Sequence, residues 1–166
     1  MRKITVIGAL PYEEVREDCH ALKQGDPGAV LRASQRIAAA LPEKAVLIPV
    51  PSHTGVATYT RTLAWAVLRE ARRLGKEVFL RDVCSCNPRE SLCHLKEAGM
   101  SVLDLPVEFR LMRGAFDRRE LERFAALGYA RVLVDNVVDT GTTASAMMDA
   151  VGESITAAAG DTGRHP

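Results

Sequence analysis

The sequence predicts an α/β fold of three layers, a mainly parallel twisted sheet flanked by helices, and three observations predict it. Short apolar runs at 45–50, 77–83 and 132–134 show little or no polar alternation, the pattern of strands covered on both faces. Longer segments with helical spacing lie between them, so strand and helix alternate along the chain. The residues that follow two of these strands, 51–55 and 135–143, are mostly small, hydroxylated or charged, which places ligand chemistry at the carboxyl edge of the sheet.

At 166 residues, 47% hydrophobic and 26% charged, the chain has the length and composition of one domain with a real core. The expected division is a single domain over 1–159, a lid or hood insert within it at about 84–114, and a disordered tail over 160–166. Lys and Arg number 22 against 21 Asp and Glu, so bulk charge does not indicate a nucleic-acid partner. No apolar run reaches bilayer length, and the first residues lack a basic segment followed by a hydrophobic stretch. A cytoplasmic protein with no membrane partner is expected, its four cysteines being thiols rather than disulfides.

In order, 4–9 reads as a short strand ending at Leu10-Pro11, and 12–24, polar with scattered apolar positions, as helix or irregular. Asp26 is a good N-cap with Pro27 at the first helical position; Val30, Leu31, Ser34, Ile37, Ala38 and Leu41 then share a face until Pro42 stops the helix. The strand 45–50 runs into Pro51-Ser52-His53-Thr54-Gly55 and a helix from about 57, the layout of an anion loop, although His53 reads equally as an exposed loop histidine. That helix turns Leu63, Ala64, Val67, Leu68, Ala71 and Leu74 inward, and Arg61, Arg69, Arg72 and Arg73 mostly outward.

After the strand 77–83 the pattern is lost: Cys84-Ser85-Cys86-Asn87-Pro88, a helical piece over 89–98, and an alternating stretch over 101–113 that suggests a hairpin. An irregular insert of this length is more often a lid or binding segment than filler. Cys84, Cys86, Cys93 and His94 are zinc-binding residue types, but their spacing is not that of the common knuckles and fingers, and free thiols are the expectation. Asp117 opens a helix in which Glu120 completes a capping box and Phe116 staples onto Leu121, with Gly128 at its end. A helix over 143–151 and a strand over 154–158 follow the strand 132–134. Asp161-Thr162-Gly163 has no strand expected directly before it and is given no role.

Residues 132–143 read Val-Leu-Val-Asp-Asn-Val-Val-Asp-Thr-Gly-Thr-Thr. A glycine that permits close backbone approach, flanking hydroxyls and free N–H groups at a helix start suit a phosphate monoester, and the carboxylates above suit sugar hydroxyls or a hydrated metal. The run resembles the phosphoribosyl-pyrophosphate (PRPP) motif of type I phosphoribosyltransferases. Ile-Pro-Val-Pro at 48–51 is similar to the ComF-like branch, and Lys23-Gln24-Gly25-Asp26 loosely matches a segment of that branch.

The resemblance implies that Asp135 and Asn136 face the ribose hydroxyls and that Thr140, Gly141, Thr142 and Thr143 hold the 5-phosphate. Asp139 would lie near the ring nitrogen being joined, and Pro51, Ser52 and His53 at the pyrophosphate. One position departs: Asn136 stands where the family usually has an acid, and an acid there is expected to be tolerated. The flexible loop of these enzymes falls at 84–114, where Arg89 and Lys96 are the cations chosen to meet the leaving pyrophosphate, ahead of Arg110 and Arg113. The implied activity transfers ribose 5-phosphate from PRPP to a nitrogenous base and releases pyrophosphate. Mg2+ would enter with PRPP beside Asp135, and a homodimer is compatible. Asp139 favours a purine-like acceptor, although no aromatic stacking residue stands in the C-terminal segment. Two alternatives stay open: a PRPP-binding sensor or ComF-like accessory protein without turnover, and a zinc-stabilised interaction module.

Overall fold

The computed structural model describes residues 2–101, 107–112 and 118–166, without the side chains of residues 92 and 93. The chain runs β1 (Val6–Ile7), β2 (Leu10–Pro11), α1 (Tyr12–Lys23), α2 (Pro27–Ala40), β3 (Lys44–Pro49), α3 (Tyr59–Arg73), β4 (Glu77–Leu80), β5 (Cys84–Cys86), α4 (Leu92–Glu97), β6 (Phe109–Leu111), α5 (Arg118–Ala126), β7 (Ala130–Val138), α6 (Thr142–Val151) and β8 (Ile155–Asp161). The central sheet is parallel, in the order β1-β8-β7-β3-β4, with β2 also alongside β8. Helices cover both faces, as the alternation of strand and helix predicts.

The absence of polar alternation in the central strands has a direct cause. Along β3, Ala45 and Leu47 enter one core while Val46 and Ile48 enter the other; along β7, Val132 and Val134 enter the first and Leu133 the second. The first core is closed by α1, α2 and α3, through Cys19, Ala33, Ile37, Leu63, Val67 and their neighbours. The second is closed by α5, α6, β5 and β6, through Leu121, Met147, Met148, Cys84 and Phe109. Burying a side chain such as Leu47, Leu63 or Leu133 completely contributes about 1.5–3 kcal/mol relative to leaving it exposed.

Several expectations are corrected. The strand expected over 4–9 is split by Gly8, whose φ is 71° and whose missing Cβ would stand 2.7 Å from Ile37 Cα. Residues 12–23, left open between helix and irregular structure, form α1, with a kink at Val15. Leu74, expected inward, is the C-cap of α3 and 59% exposed. In the insert, Cys84–Cys86 is itself a strand and pairs antiparallel with Phe109–Leu111, so the hairpin joins the two ends of the insert. Residues 102–106 and 113 of the hairpin expected over 101–113, and the Phe116 and Asp117 cap, lie outside the described residues.

Residues 160–166 also depart from the disordered tail expected of them. Gly160 and Asp161 belong to β8, the Thr162 N–H donates to the Val138 carbonyl (3.0 Å), and the Ile4 N–H donates to the Pro166 carbonyl (3.0 Å). These hydrogen bonds fold the segment back across the carboxyl end of the sheet, so the ordered domain continues past residue 159.

Candidate functional site

At the carboxyl edge, the loops after β3 and β7 lie side by side because their strands are neighbours in register, with Pro49 opposite Val134. The first loop, 51–55, is a tight turn: the Gly55 N–H donates to the Ser52 carbonyl (3.0 Å), and the Ser52 and Thr54 hydroxyls meet at 2.7 Å. It is anchored from below by the buried Thr60 hydroxyl, which donates to the Val50 carbonyl (2.6 Å). The second loop reaches α6 through Gly141, at φ 79°, where a Cβ would stand 2.8 Å from Ile4 Cγ1. Among the described residues no side chain caps α6, whose N-cap is Gly141, and the Thr140 and Thr142 hydroxyls meet at 2.8 Å beside its first turn. The N–H groups at the start of α6 are thus left for an anion.

Two adjoining cavities open here, of about 340 and 370 Å³. The first is bounded by Asp139, Thr140, Gly141, Thr142 and Thr143, with Tyr12, Lys96, Thr162 and Arg164 around the rim. The second is bounded by Pro51, Ser52, His53, Tyr59, Arg89 and His94. Lys23, Asp135, Val137 and Thr143 line both and form the passage between them.

The three polar residues of β7 and its end have different surroundings. Asp135, partly buried, accepts from the Asn136 backbone N–H at 2.7 Å. Burial pushes its pKa up to about 6, against the opposing effects of that N–H and the Lys23 charge. Asn136 is 2% exposed, and its Nδ2 donates to the Cys19 carbonyl of α1 at 2.8 Å. It lines the edge of the second cavity, but its donor is committed to the helix, and its buried Oδ1 has no hydrogen-bond partner among the described residues. The asparagine thus has a structural reason: a carboxylate has no hydrogen to give a carbonyl oxygen.

Asp139 faces the first cavity in ionic contact with Lys96 and with Arg164 (2.6 Å), and accepts from the Thr162 hydroxyl (2.9 Å). Burial alone would raise its pKa. The hydrogen bonds from Lys96 and Thr162, with the charges of Lys96 and Arg164, outweigh burial and hold the carboxyl below its usual range.

The insert docks onto the first loop through main-chain bonds, Cys86 N–H to the Gly55 carbonyl (3.0 Å) and Arg89 N–H to the His53 carbonyl (2.9 Å). This brings Arg89 to the second cavity, where its buried Nε has no partner among the described residues. Lys96 arrives at the first cavity instead. Arg110 bonds to Asn87, and Arg113 lies outside the described residues. Cys84 and Cys86 are buried, and burial raises both thiols, that of Cys84 to about 12. Among the described residues no three His, Cys, Asp or Glu gather as metal ligands; His94 lines the second cavity, and the Cys93 side chain is not described.

Sequence reasoning misses Thr162 and Arg164. Their signal is the second Asp-Thr-Gly, discounted because no strand is expected before it; β8 in fact runs directly into it. Tyr12 is missed for want of a motif.

The class defined by these observations is an α/β protein with two neighbouring loops of small and hydroxylated residues at the carboxyl edge of a parallel sheet and no helix, among the described residues, long and apolar enough to cross a membrane. Compared with known protein families, curated proteins and solved structures, the chain matches none. Its reading therefore rests on its own residues.

Proposed function

We propose that the chain is a PRPP-dependent phosphoribosyltransferase. The carrying observation is the pair of cavities joined at Asp135: an uncapped helix start with hydroxyls in one, an orphaned Arg89 Nε with His53 and His94 in the other. The spacing suits a ligand with phosphate at one end, pyrophosphate at the other and a sugar between.

In this reading Thr140, Gly141, Thr142 and Thr143 hold the 5-phosphate, Asp135 meets the ribose hydroxyls, and Ser52, His53 and Arg89 meet the pyrophosphate. The C1–O bond to pyrophosphate breaks as the bond from C1 to the acceptor nitrogen forms, through a transition state with oxocarbenium character like that of glycoside hydrolysis. Asp139 accepts the N–H proton of the acceptor, Arg89 neutralises the departing pyrophosphate from the second cavity, and Lys96, which the sequence reading sets at the pyrophosphate, stays in the first cavity and orients the Asp139 carboxylate. With a single acid at 135 and 136, the chain offers little of its own to a metal, so Mg2+ belongs to the substrate as Mg2+–PRPP. A purine-like acceptor remains the preferred second substrate, with Tyr12 supplying an aromatic face at the first cavity.

The test is pyrophosphate release from Mg2+–PRPP in the presence of pooled purines, pyrimidines and small nitrogen heterocycles. Release that depends on one component supports the transferase and names its acceptor. A folded protein that binds PRPP without release favours the sensor or accessory reading, for which the commitment of Asn136 to α1 is the specific observation.

A further inference from the structure

Lys23, the last residue of α1, lines both cavities, a place it shares with Asp135, Val137 and Thr143. Of the lysines and arginines that line the two cavities, it alone has no hydrogen-bond or ion-pair partner among the described residues. Lys96 and Arg164 are held by Asp139, and Arg89 donates to the Glu90 carbonyl (3.3 Å). The Lys23 charge is nevertheless felt at the Asp135 carboxyl, so the passage between the cavities carries one acid and one unpaired cation.

The main chain on either side of Lys23 is fixed, while the residue itself is exposed. Before it, Cys19 and Leu22 are buried in the first core, and the Asn136 Nδ2 donates to the Cys19 carbonyl (2.8 Å), which ties α1 to β7. After it, the Gly25 and Asp26 N–H groups donate to the Leu22 and Ala21 carbonyls (3.0 and 3.1 Å), and Asp26 caps α2 by accepting from the Ala29 N–H (2.9 Å). An ammonium with three donors on a flexible stem, rooted in a fixed backbone, suits a point that anionic oxygens approach from two sides. The last turn of α1 also brings the partly negative carbonyl end of a helix to this edge, which a cation in that turn offsets. We infer that Lys23 binds substrate at the passage, its ammonium meeting the phosphate oxygens on both sides of the sugar, a role that rests on the PRPP reading. Asp135 then takes the sugar hydroxyls and Lys23 the anionic groups that flank them, so one contact serves both halves of the ligand.

Calorimetric titration of the full chain with ribose 5-phosphate, with pyrophosphate and with Mg2+–PRPP tests it. Lys23→Gln is expected to weaken each half-ligand about tenfold and PRPP about 30-fold, with an unchanged circular dichroism spectrum. Arg89→Gln alters a residue of the second cavity alone, and is expected to weaken pyrophosphate about tenfold and ribose 5-phosphate by less than about twofold. Lys23→Arg keeps the charge and is expected to stay within about threefold of the wild type for all three ligands. A Lys23→Gln loss confined to one half-ligand overturns the shared contact. No loss for either, as for a lysine that only balances the end of α1, overturns the proposal and leaves the PRPP reading in place. Lys23→Arg no better than Lys23→Gln overturns the part played by charge. A folded wild type that binds none of the three ligands removes the PRPP reading, and the role of Lys23 with it.

Discussion

Asp139-Thr140-Gly141 and Asp161-Thr162-Gly163 are the same three residues after neighbouring parallel strands, yet they have different roles in the structure. The register pairs Val138 with Asp161, so the second triplet is staggered by one residue and Thr162, not Asp161, comes beside Asp139. The chain also leaves the two triplets differently. After Gly141 it enters α6 and leaves the first N–H groups of that helix open; after Gly163 it folds back and delivers Arg164 to Asp139. Asp161 is occupied locally, accepting from the Gly163 N–H (2.8 Å) and pairing with His165. A motif acquires its chemistry from stagger and from the element after it as much as from its residues.

The largest effect that separates the two turns is on turnover. If the transferase reading holds, Asp139→Ala should lower kcat about 100-fold or more with little change in PRPP affinity, and Asp161→Ala should lower it only a few-fold. Steady-state rates with pyrophosphate detection read both, and equal losses would break the comparison. Next in size is Asn136→Asp. Sequence alone expects tolerance, but the substitution removes the donor to the Cys19 carbonyl and buries a second carboxylate, so urea denaturation at pH 7 should show a loss of about 2–3 kcal/mol. An unchanged midpoint would mean that the asparagine is not held by α1.

The two glycines divide on a smaller scale. Both have positive φ, but a Cβ on Gly141 meets Ile4 at 2.8 Å, whereas one on Gly163 meets nothing within 4 Å. Gly163→Ala should cost about 1 kcal/mol, from backbone conformation alone, and Gly141→Ala about 2 or more. Thermal unfolding ranks them; the reverse order would place the strain at the wrong turn.

The smallest effect distinguishes the acids within the first turn. Asp135 has a raised pKa, so the folded state holds its proton more tightly than the unfolded one, and this advantage fades as pH rises through about 6. Asp135→Asn should therefore raise Tm by about 2–4 °C at pH 7 and have little effect near pH 4, while it weakens PRPP binding. Asp139 has a lowered pKa and shows the opposite dependence: its stabilisation is present above the ordinary carboxylate range and is lost in acid.

Much of this fold could be read from periodicity. The helices at Pro27–Ala40 and Tyr59–Arg73 and the buried strands follow from local patterns, as does the turn into α6. The orientation of Asn136 was not legible, because the apolar run that marks the strand ends at Val134. Once β7 is seen to continue, Asn136 follows Val132 and Val134 on the side that α1 covers. Nor could the pairing of β5 with β6 be read, since it joins strands far apart in the chain whose partners carry no reciprocal signal. The contribution of Thr162 and Arg164 depends on β8 reaching Asp161, beyond the apolar residues that announce it. Thr140, Gly141, Thr142, Thr143, Ser52 and His53 are legible as neighbours of one edge; the chemistry they share remains the proposal.

The most direct measurement is a calorimetric titration of Mg2+–PRPP into the wild-type chain, repeated in the presence of ribose 5-phosphate and of pyrophosphate. The expected result is one site per chain, weakened by each half-ligand separately, because each occupies one of the two joined cavities. No binding of PRPP by the folded protein, or binding that neither half-ligand disturbs, would contradict the placement of phosphate and pyrophosphate on the two loops.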